Sequence, residues 1–280
     1  SNEGTAAVTL TGTGGGVYTS TTGLVIDSGT GEVDLATSDP GTYTVTYTIA
    51  AAGGCEEVVA TTSITITELP VATIAYTGGP FCSDGGIISV TQTGTGGGTY
   101  SAAPGGLSLN TVNGDINLGS SSTGSYTVTY TVAASGGCPP VTATATVDVT
   151  TLPTASIAYG DNPYCSNETN ATVSLTGTAG GTDSSTAGLD INPATGEVDI
   201  TGSTPGVYVV TYTIAASGGC PEVTATTGIT ITALPTATIS YGGTPYCSDE
   251  VTASVTFSGT GGGTYSAAPS GLSINAASGD

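Results

Sequence analysis

Six cysteines are the side chains of this sequence best suited to chemistry, and they fall into two regularly spaced classes. Members of one class lie 82 or 83 residues apart, and the two classes are offset by 27 residues. A zinc site needs closer cysteines or histidine, and the chain has no histidine. The spacing therefore predicts disulfide bonds in an oxidising, extracellular setting. One class comprises Cys55, Cys138 and Cys220, and the other comprises Cys82, Cys165 and Cys247.

The charged residues exclude several classes of function. The 280 residues include no Lys, Arg or His, and Asp and Glu give a net charge of −21. The chain thus lacks an imidazole base, an amine nucleophile and a guanidinium clamp, and we expect no enzyme. Without cations we expect no binding of nucleic acid or of anionic lipid. No run of about 18 apolar residues occurs, so we expect no membrane insertion.

The elements that position the cysteines are predicted to be strands. Apolar residues alternate with Thr and Ser, as in Tyr43–Ile49 and Val141–Val147. This period of two is typical of half-buried strands, and no segment has the period of an amphipathic helix. The sequence therefore predicts an all-β protein, with Cys82 in the loop after the first strand of its repeat. The strands predicted for residues 71–153 are 72–76, 87–92, 99–102, 115–118, 126–133 and 141–150.

The fixed period implies an array of like units, each ending at a Leu-Pro pair. Seven or so short strands in about 82 residues suit a β-sandwich. The two terminal copies would be incomplete, so the simplest hypothesis is a longer parent chain, with strand donation between chains as the alternative. The predicted repeats are 1–70 without its first strand, 71–153, 154–235, and 236–280 truncated before its last strands.

Two stretches resemble known families. Gly124–Val128 resembles the tyrosine corner of immunoglobulin-like sandwiches, although Val128 stands where that family has an inter-sheet cysteine. Gly188–Ile200 with Thr204–Tyr212 resembles the immunoglobulin-, cadherin- and PKD-like repeats of very large secreted adhesins from bacteria of the Bacteroidota type. The resemblance implies a tandem array of immunoglobulin-like β-sandwich domains that forms an extended rod at the cell surface and serves attachment or gliding.

The implied topology bears on disulfide pairing. It places the loop after the first strand and the last hairpin loop at opposite ends of a sandwich. Pairing within a repeat, as in Cys82–Cys138, would then span roughly 25–30 Å, whereas a disulfide needs Cα atoms within about 7 Å. Pairing Cys55–Cys82 or Cys138–Cys165 is less favourable still, because two strands run the same way between the two loops. Pairing between consecutive repeats gives Cys82–Cys220. This pairing and the one within a repeat stay open because the strand order rests on the resemblance. If Cys82 pairs with Cys220, the remaining four cysteines are expected to pair with partners outside the 280 residues: Cys55, Cys138, Cys165 and Cys247.

Two further features are weak indications of binding. A Cys82–Cys220 bridge would bring Asp84 towards Glu222. These two residues are the candidate ligands of a Ca²⁺ ion at the junction between repeats. Calcium needs about six to eight oxygens, and no Asp-rich calcium loop occurs, so solvated carboxylates are the simpler interpretation. The stretch 181–186 departs most from its counterpart at 98–103.

We therefore expect a structural and adhesive extracellular repeat protein that forms a stiff cell-surface fibre. We expect its main partners to be adjacent repeats or copies of the same chain. Surface glycans are the second class of partner that we consider. No cofactor is expected apart from the junctional cation. The alternative hypothesis is a surface binding module that recognises a glycan or a cation through loops at the repeat junctions.

Overall fold

A computed structural model describes residues 4–280, which form short strands joined by turns, with one 3₁₀ helix. Two compact units are present. One comprises Ser1–Leu152 with Ala216–Pro221, and the other comprises Pro153–Ala215 with Glu222–Asp280. The all-β prediction is confirmed. The division into four repeats stays a prediction.

Residues 4–70 form two antiparallel sheets around one apolar cluster. The larger sheet has the strand order β2-β5-β6, and the smaller has the order β1-β4-β3. Tyr43, Val45 and Tyr47 on β5 are buried in the cluster, because they alternate with Thr residues that occupy the other face. The strands are β1 (Thr5–Ala6), β2 (Val17–Ser20), β3 (Val25–Ile26), β4 (Val33–Asp34), β5 (Gly41–Ile49) and β6 (Val58–Ile66).

Residues 71–152 form a fuller version of the same arrangement. A four-stranded sheet, β11-β13-β14-β8, faces the two-stranded pairs β10-β7 and β12-β9 across a second apolar cluster. β13 pairs with β14 along its whole length, and Val128 is fully buried. The elements are β7 (Ala72–Ala75), β8 (Phe81–Cys82), β9 (Ile87–Ile88), β10 (Thr91–Gly94), β11 (Thr99–Ala103), β12 (Ile116–Asn117), a 3₁₀ helix (Leu118–Ser120), β13 (Gly124–Val132) and β14 (Val141–Thr150).

The second unit contains a third cluster, centred on Val198, Val210 and Ile229, which are all fully buried. Its sheets have the orders β16-β23-β22-β19, β17-β21-β20, β15-β18 and β24-β25. The strands are β15 (Ala155–Tyr159), β16 (Tyr164–Cys165), β17 (Asn170–Ala171), β18 (Val173–Gly177), β19 (Thr182–Ser185), β20 (Asp190–Ile191), β21 (Val198–Asp199), β22 (Gly206–Ile214), β23 (Val223–Thr232), β24 (Ala237–Tyr241) and β25 (Val255–Gly259).

A tyrosine corner occurs in each of the three clusters, as in immunoglobulin-like sandwiches. On β5, β13 and β22 one buried tyrosine donates a hydrogen bond from its hydroxyl to the carbonyl oxygen four residues earlier. The valine two residues after that tyrosine is buried in the core, where it packs in place of a cysteine. The hydrogen bonds are Tyr43 to Asp39 (2.7 Å), Tyr126 to Ser122 (2.7 Å) and Tyr208 to Thr204 (2.5 Å).

Two details of the prediction for residues 71–153 are wrong. The segment predicted as one strand over 87–92 is divided into β9 and β10, which belong to different sheets. Cys82, predicted to lie in a loop, is in β8, which runs parallel to the end of β14 at Val149–Thr150. The parallel pairing arises because the chain crosses from one sheet to the other after β7, and this crossing has no local sequence signal.

Candidate functional site

The loop Ala216–Pro221, which connects β22 to β23, is a tight turn built on two glycines. Ser217 and Cys220 exchange both backbone hydrogen bonds, at 3.1 and 2.9 Å. Gly218 and Gly219 between them have φ values of 59° and 78°. Positive φ at both central positions is the requirement of a type I′ turn, which glycine meets without a steric penalty. The Gly-Gly pair therefore fixes the direction in which Cys220 leaves the hairpin.

Cys82 is positioned by β8. The backbone N–H of Ser83 donates to the Thr150 carbonyl at 2.8 Å, and the N–H of Leu152 donates to the Ser83 hydroxyl at 3.1 Å. These bonds anchor the short strand against the end of β14. Cys82 and Cys220 are joined by a disulfide bond, with their Cα atoms 4.6 Å apart. Both residues are buried, so the bridge is shielded from solvent.

The loop carrying Cys220 is also seated by non-covalent contacts. The Thr150 hydroxyl lies between the carbonyl oxygens of Gly218 and Phe81, either of which can accept its hydrogen bond. The Cys220 sulfur lies 3.6 Å from the Thr151 carbonyl oxygen. Gly219 packs so closely on the Pro80 carbonyl that a Cβ atom there would overlap it. The disulfide therefore joins two segments that are also held together by a hydrogen bond and by close packing.

A second turn of the same kind carries Cys138. Ser135 and Cys138 exchange backbone hydrogen bonds of 3.2 and 2.9 Å around two positive-φ glycines. Cys138 is buried, and its sulfur lies 3.8 and 3.7 Å from the carbonyl oxygens of Thr67 and Glu68. Thr67 and Glu68 are the two residues after β6. Their counterparts near Cys220 are Thr150, which is the last residue of β14, and Thr151, which follows it. Cys138 therefore occupies a pocket equivalent to that of Cys220, and its thiol is unbridged within residues 4–280.

The remaining predicted site residues form neither a disulfide bond nor a metal-binding cluster within the described part of the chain. Cys55 and Cys247 are exposed, and Cys165 is partly exposed; these three are also unbridged within the described part of the chain. Asp84, after β8, is exposed, and Glu222, before β23, is exposed. Among residues 4–280 no group of three or more suitable side chains could hold a metal ion. The junctional cation stays a prediction.

Several contributors to the site were not identified from sequence. The Thr150 hydroxyl, the Pro80 carbonyl and the type I′ geometry of Gly218-Gly219 all shape the contact around Cys220. The repeated Ser-Gly-Gly-Cys sequence before Pro139 and Pro221 was the available signal for the turns, since adjacent glycines favour that turn type. The seat formed by Thr150 depends on a long-range pairing and has no such signal.

Comparisons with known proteins add little to these contacts. No family model matches the chain, and no curated protein matches it. Among solved structures, mouse cadherin-23 EC22-24 is 15% identical with a TM-score of 0.32, over 78% of this chain and 86% of that chain. The immunoglobulin domains 1-5 of Sidekick-1 are 13% identical with a TM-score of 0.38, over 91% and 63%. At these values the likeness carries no argument about partners.

A third similar structure is bacterial. BT4661, a SusE-like surface-located polysaccharide-binding protein of Bacteroides thetaiotaomicron, is 14% identical with a TM-score of 0.25, over 78% of this chain and 43% of that chain. Within residues 4–280 no helix has the length and apolar character needed to cross a bilayer.

Proposed function

We propose that this chain is part of an extracellular structural and adhesive protein, in which disulfide bonds between consecutive β-sandwich repeats produce a stiff cell-surface fibre. Its partners are adjacent repeats or further copies of the same chain. We propose no catalytic role, because the chain has no basic side chain from which to build the usual catalytic groups.

The single observation that carries the proposal is the buried bridge between Cys82 and Cys220. The two cysteines are 138 residues apart in sequence, which exceeds the repeat period. The bridge therefore connects a cysteine of the predicted repeat 71–153 to the last hairpin loop of the predicted repeat 154–235. A crosslink of this kind restricts bending at the boundary near residue 153, whereas a crosslink inside one repeat would not.

The energetic contribution of such a bridge is large. Closing a loop of more than 100 residues removes chain entropy from the unfolded state equivalent to about 4–5 kcal/mol in the loop-closure description. A small sandwich buries too little apolar surface to be very stable alone. Bridges between repeats therefore support the individual domains as well as the joints between them.

Single-molecule force spectroscopy on the full chain tests the proposal. The oxidised chain, pulled from its ends, cannot extend the residues between Cys82 and Cys220 while the bridge is intact. Adding a reductant, or using a Cys82→Ser variant, should release 138 residues. At about 3.3–3.6 Å per extended residue, we expect roughly 45–50 nm of additional contour length.

A Cys55→Ser variant is the matched control, because Cys55 is exposed and unbridged within the described residues. It should behave as the unmodified chain in both oxidised and reduced conditions. Equal contour lengths with and without reductant would contradict the bridge and the stiff joint with it. That outcome would favour the alternative, in which flexible repeats display loops that bind a surface glycan.

A further inference from the structure

One core position differs chemically among the repeats. Its backbone N–H donates to a carbonyl of the following turn in every copy, which establishes the equivalence. On β2 and β11 this position holds a tyrosine whose ring packs on a β5 or β13 tyrosine, with ring centroids 4.6 and 4.7 Å apart. On β19 the equivalent residue is aspartate. The residues at this position are Tyr18, Tyr100, Asp183 and Tyr265.

Asp183 is buried, and one oxygen of its carboxylate has no hydrogen-bond partner. Only 7% of the residue is exposed, and its Oδ1 atom accepts no hydrogen bond. Tyr212 is its cross-strand neighbour, and Gly196 lies directly against the carboxylate. The nearby Tyr159 hydroxyl already donates to the Gly196 carbonyl at 2.5 Å. A carboxylate with one buried, unpartnered oxygen thus occupies a place that an aromatic ring fills in the other copies.

No neighbouring group stabilises the charge of Asp183. The titratable side chains facing it are Tyr159 on β15 and Tyr212 on β22. Asp190, Glu197 and Asp199 on the adjacent β20–β21 segment line an open surface groove instead. No Lys, Arg or His exists anywhere in the chain to pair with the carboxylate. Burial therefore raises the pKa of Asp183.

We propose that Asp183 makes the 154–235 repeat a pH-graded weak point of the chain, least stable when the carboxylate is ionised and strengthened when it is protonated. The folded state binds this proton more tightly than the unfolded state does. The associated stability is therefore fully present below the unfolded pKa and declines as pH rises through the folded pKa. The inference goes beyond the fibre proposal and requires no disulfide, because it rests on the core of one repeat.

Hydrogen exchange on the full chain, followed by peptic digestion, tests the proposal. The protection of β22 (Gly206–Ile214), corrected for the intrinsic exchange rate, should rise as pH falls from about 8 to about 4.5. The protection of β13 (Gly124–Val132), from a repeat with Tyr100 at this position, is the internal reference. A tenfold difference in proton affinity between the folded and unfolded states gives at most a tenfold change in protection, which is complete only below the unfolded pKa of about 3.9, so the rise down to about pH 4.5 is part of it.

Three variants separate the contribution of charge from that of packing. Asp183→Asn removes the titration without restoring the ring, so the rise in β22 protection should disappear. Asp183→Tyr should remove the rise and also increase protection at every pH. Tyr100→Asp should give β13 a pH dependence that it lacks. The proposal is overturned if β22 and β13 respond alike in the unmodified chain, or if Asp183→Asn keeps the rise.

Discussion

At the residue scale, the three clusters are stabilised by the same small set of polar contacts. The corner tyrosines combine burial with one hydrogen bond to the backbone, so each fixes the start of a long central strand. Ser38 and Ser203 are buried, and each hydroxyl accepts a hydrogen bond from a backbone N–H 13 residues earlier and donates one to a backbone carbonyl four residues earlier. Such satisfied polar groups specify the arrangement of the chain because leaving any one of them unpaired in the interior is costly.

The corner hydroxyl of Tyr126 can be removed with little change in apolar packing. A Tyr126→Phe substitution leaves the Ser122 carbonyl without its donor, and we expect a loss of about 0.5–1.5 kcal/mol in local stability. Hydrogen exchange of β13 measures this loss in the intact chain. Tyr246→Phe, at a residue that is 38% exposed, is the matched control and should have little effect. Equal effects of the two substitutions would contradict the role of the corner.

Asp199 should respond to pH in the direction opposite to Asp183. Hydrogen bonds from the Thr201 side chain and the Gly202 backbone lower the pKa of Asp199. Its contribution is therefore present above its unfolded pKa and lost as pH falls through the lowered folded value. Asp199→Asn should flatten the decline in β21–β22 protection below about pH 4, whereas Asp148→Asn, on the exposed face of β14, should not.

At the element scale, the turns decide whether the cysteines can meet. Gly219 and Gly137 occupy the same position in equivalent turns, with φ values of 78° and 81°. A Cβ on Gly219 would overlap the Pro80 carbonyl, whereas a Cβ on Gly137 would meet nothing within 4 Å. The two glycines therefore share the same backbone requirement and differ only in the space around them.

This pair gives a matched test of the seated loop. Gly219→Ala and Gly137→Ala should strain their turns equally, but only Gly219→Ala should prevent the loop Ala216–Pro221 from docking. We expect the bridge to change from predominant to minor in Gly219→Ala and to stay predominant in Gly137→Ala. Alkylation without prior reduction, followed by peptide mass mapping, measures the free thiols of Cys82 and Cys220. Complete bridging in both variants would show that the close contact at Pro80 is not required.

The element scale also shows where sequence reasoning succeeds. Alternation of apolar and Thr residues is a local signal, and it predicts 126–133 and 141–150 where the structure has Gly124–Val132 and Val141–Thr150. The parallel pairing of β8 depends on residues distant in sequence, so the local pattern predicts a loop where Cys82 lies in a strand. The sequence shows that 181–186 differs from its counterpart in the preceding repeat. It does not predict that Asp183 is buried, because that burial follows from the packing of two sheets.

At the scale of the whole molecule, the charge distribution has only one sign. A net charge of −21 without any basic side chain means that every long-range electrostatic interaction among side chains is repulsive. The folded state brings these carboxylates closer together than the unfolded chain does, so repulsion opposes folding. Added salt should weaken that repulsion, because the screening length falls from about 30 Å at 0.01 M to about 3 Å at 1 M.

We therefore expect the melting temperature of the full chain, followed by circular dichroism, to rise steadily with NaCl. A chain stabilised by surface ion pairs would lose stability under the same treatment. Replacing NaCl by CaCl₂ at equal ionic strength then separates screening from specific binding. Screening alone gives the same melting temperature in both salts. An additional rise in calcium that disappears in Asp84→Asn and Glu222→Gln variants would establish the junctional cation, and the same rise in those variants would assign calcium to other carboxylates.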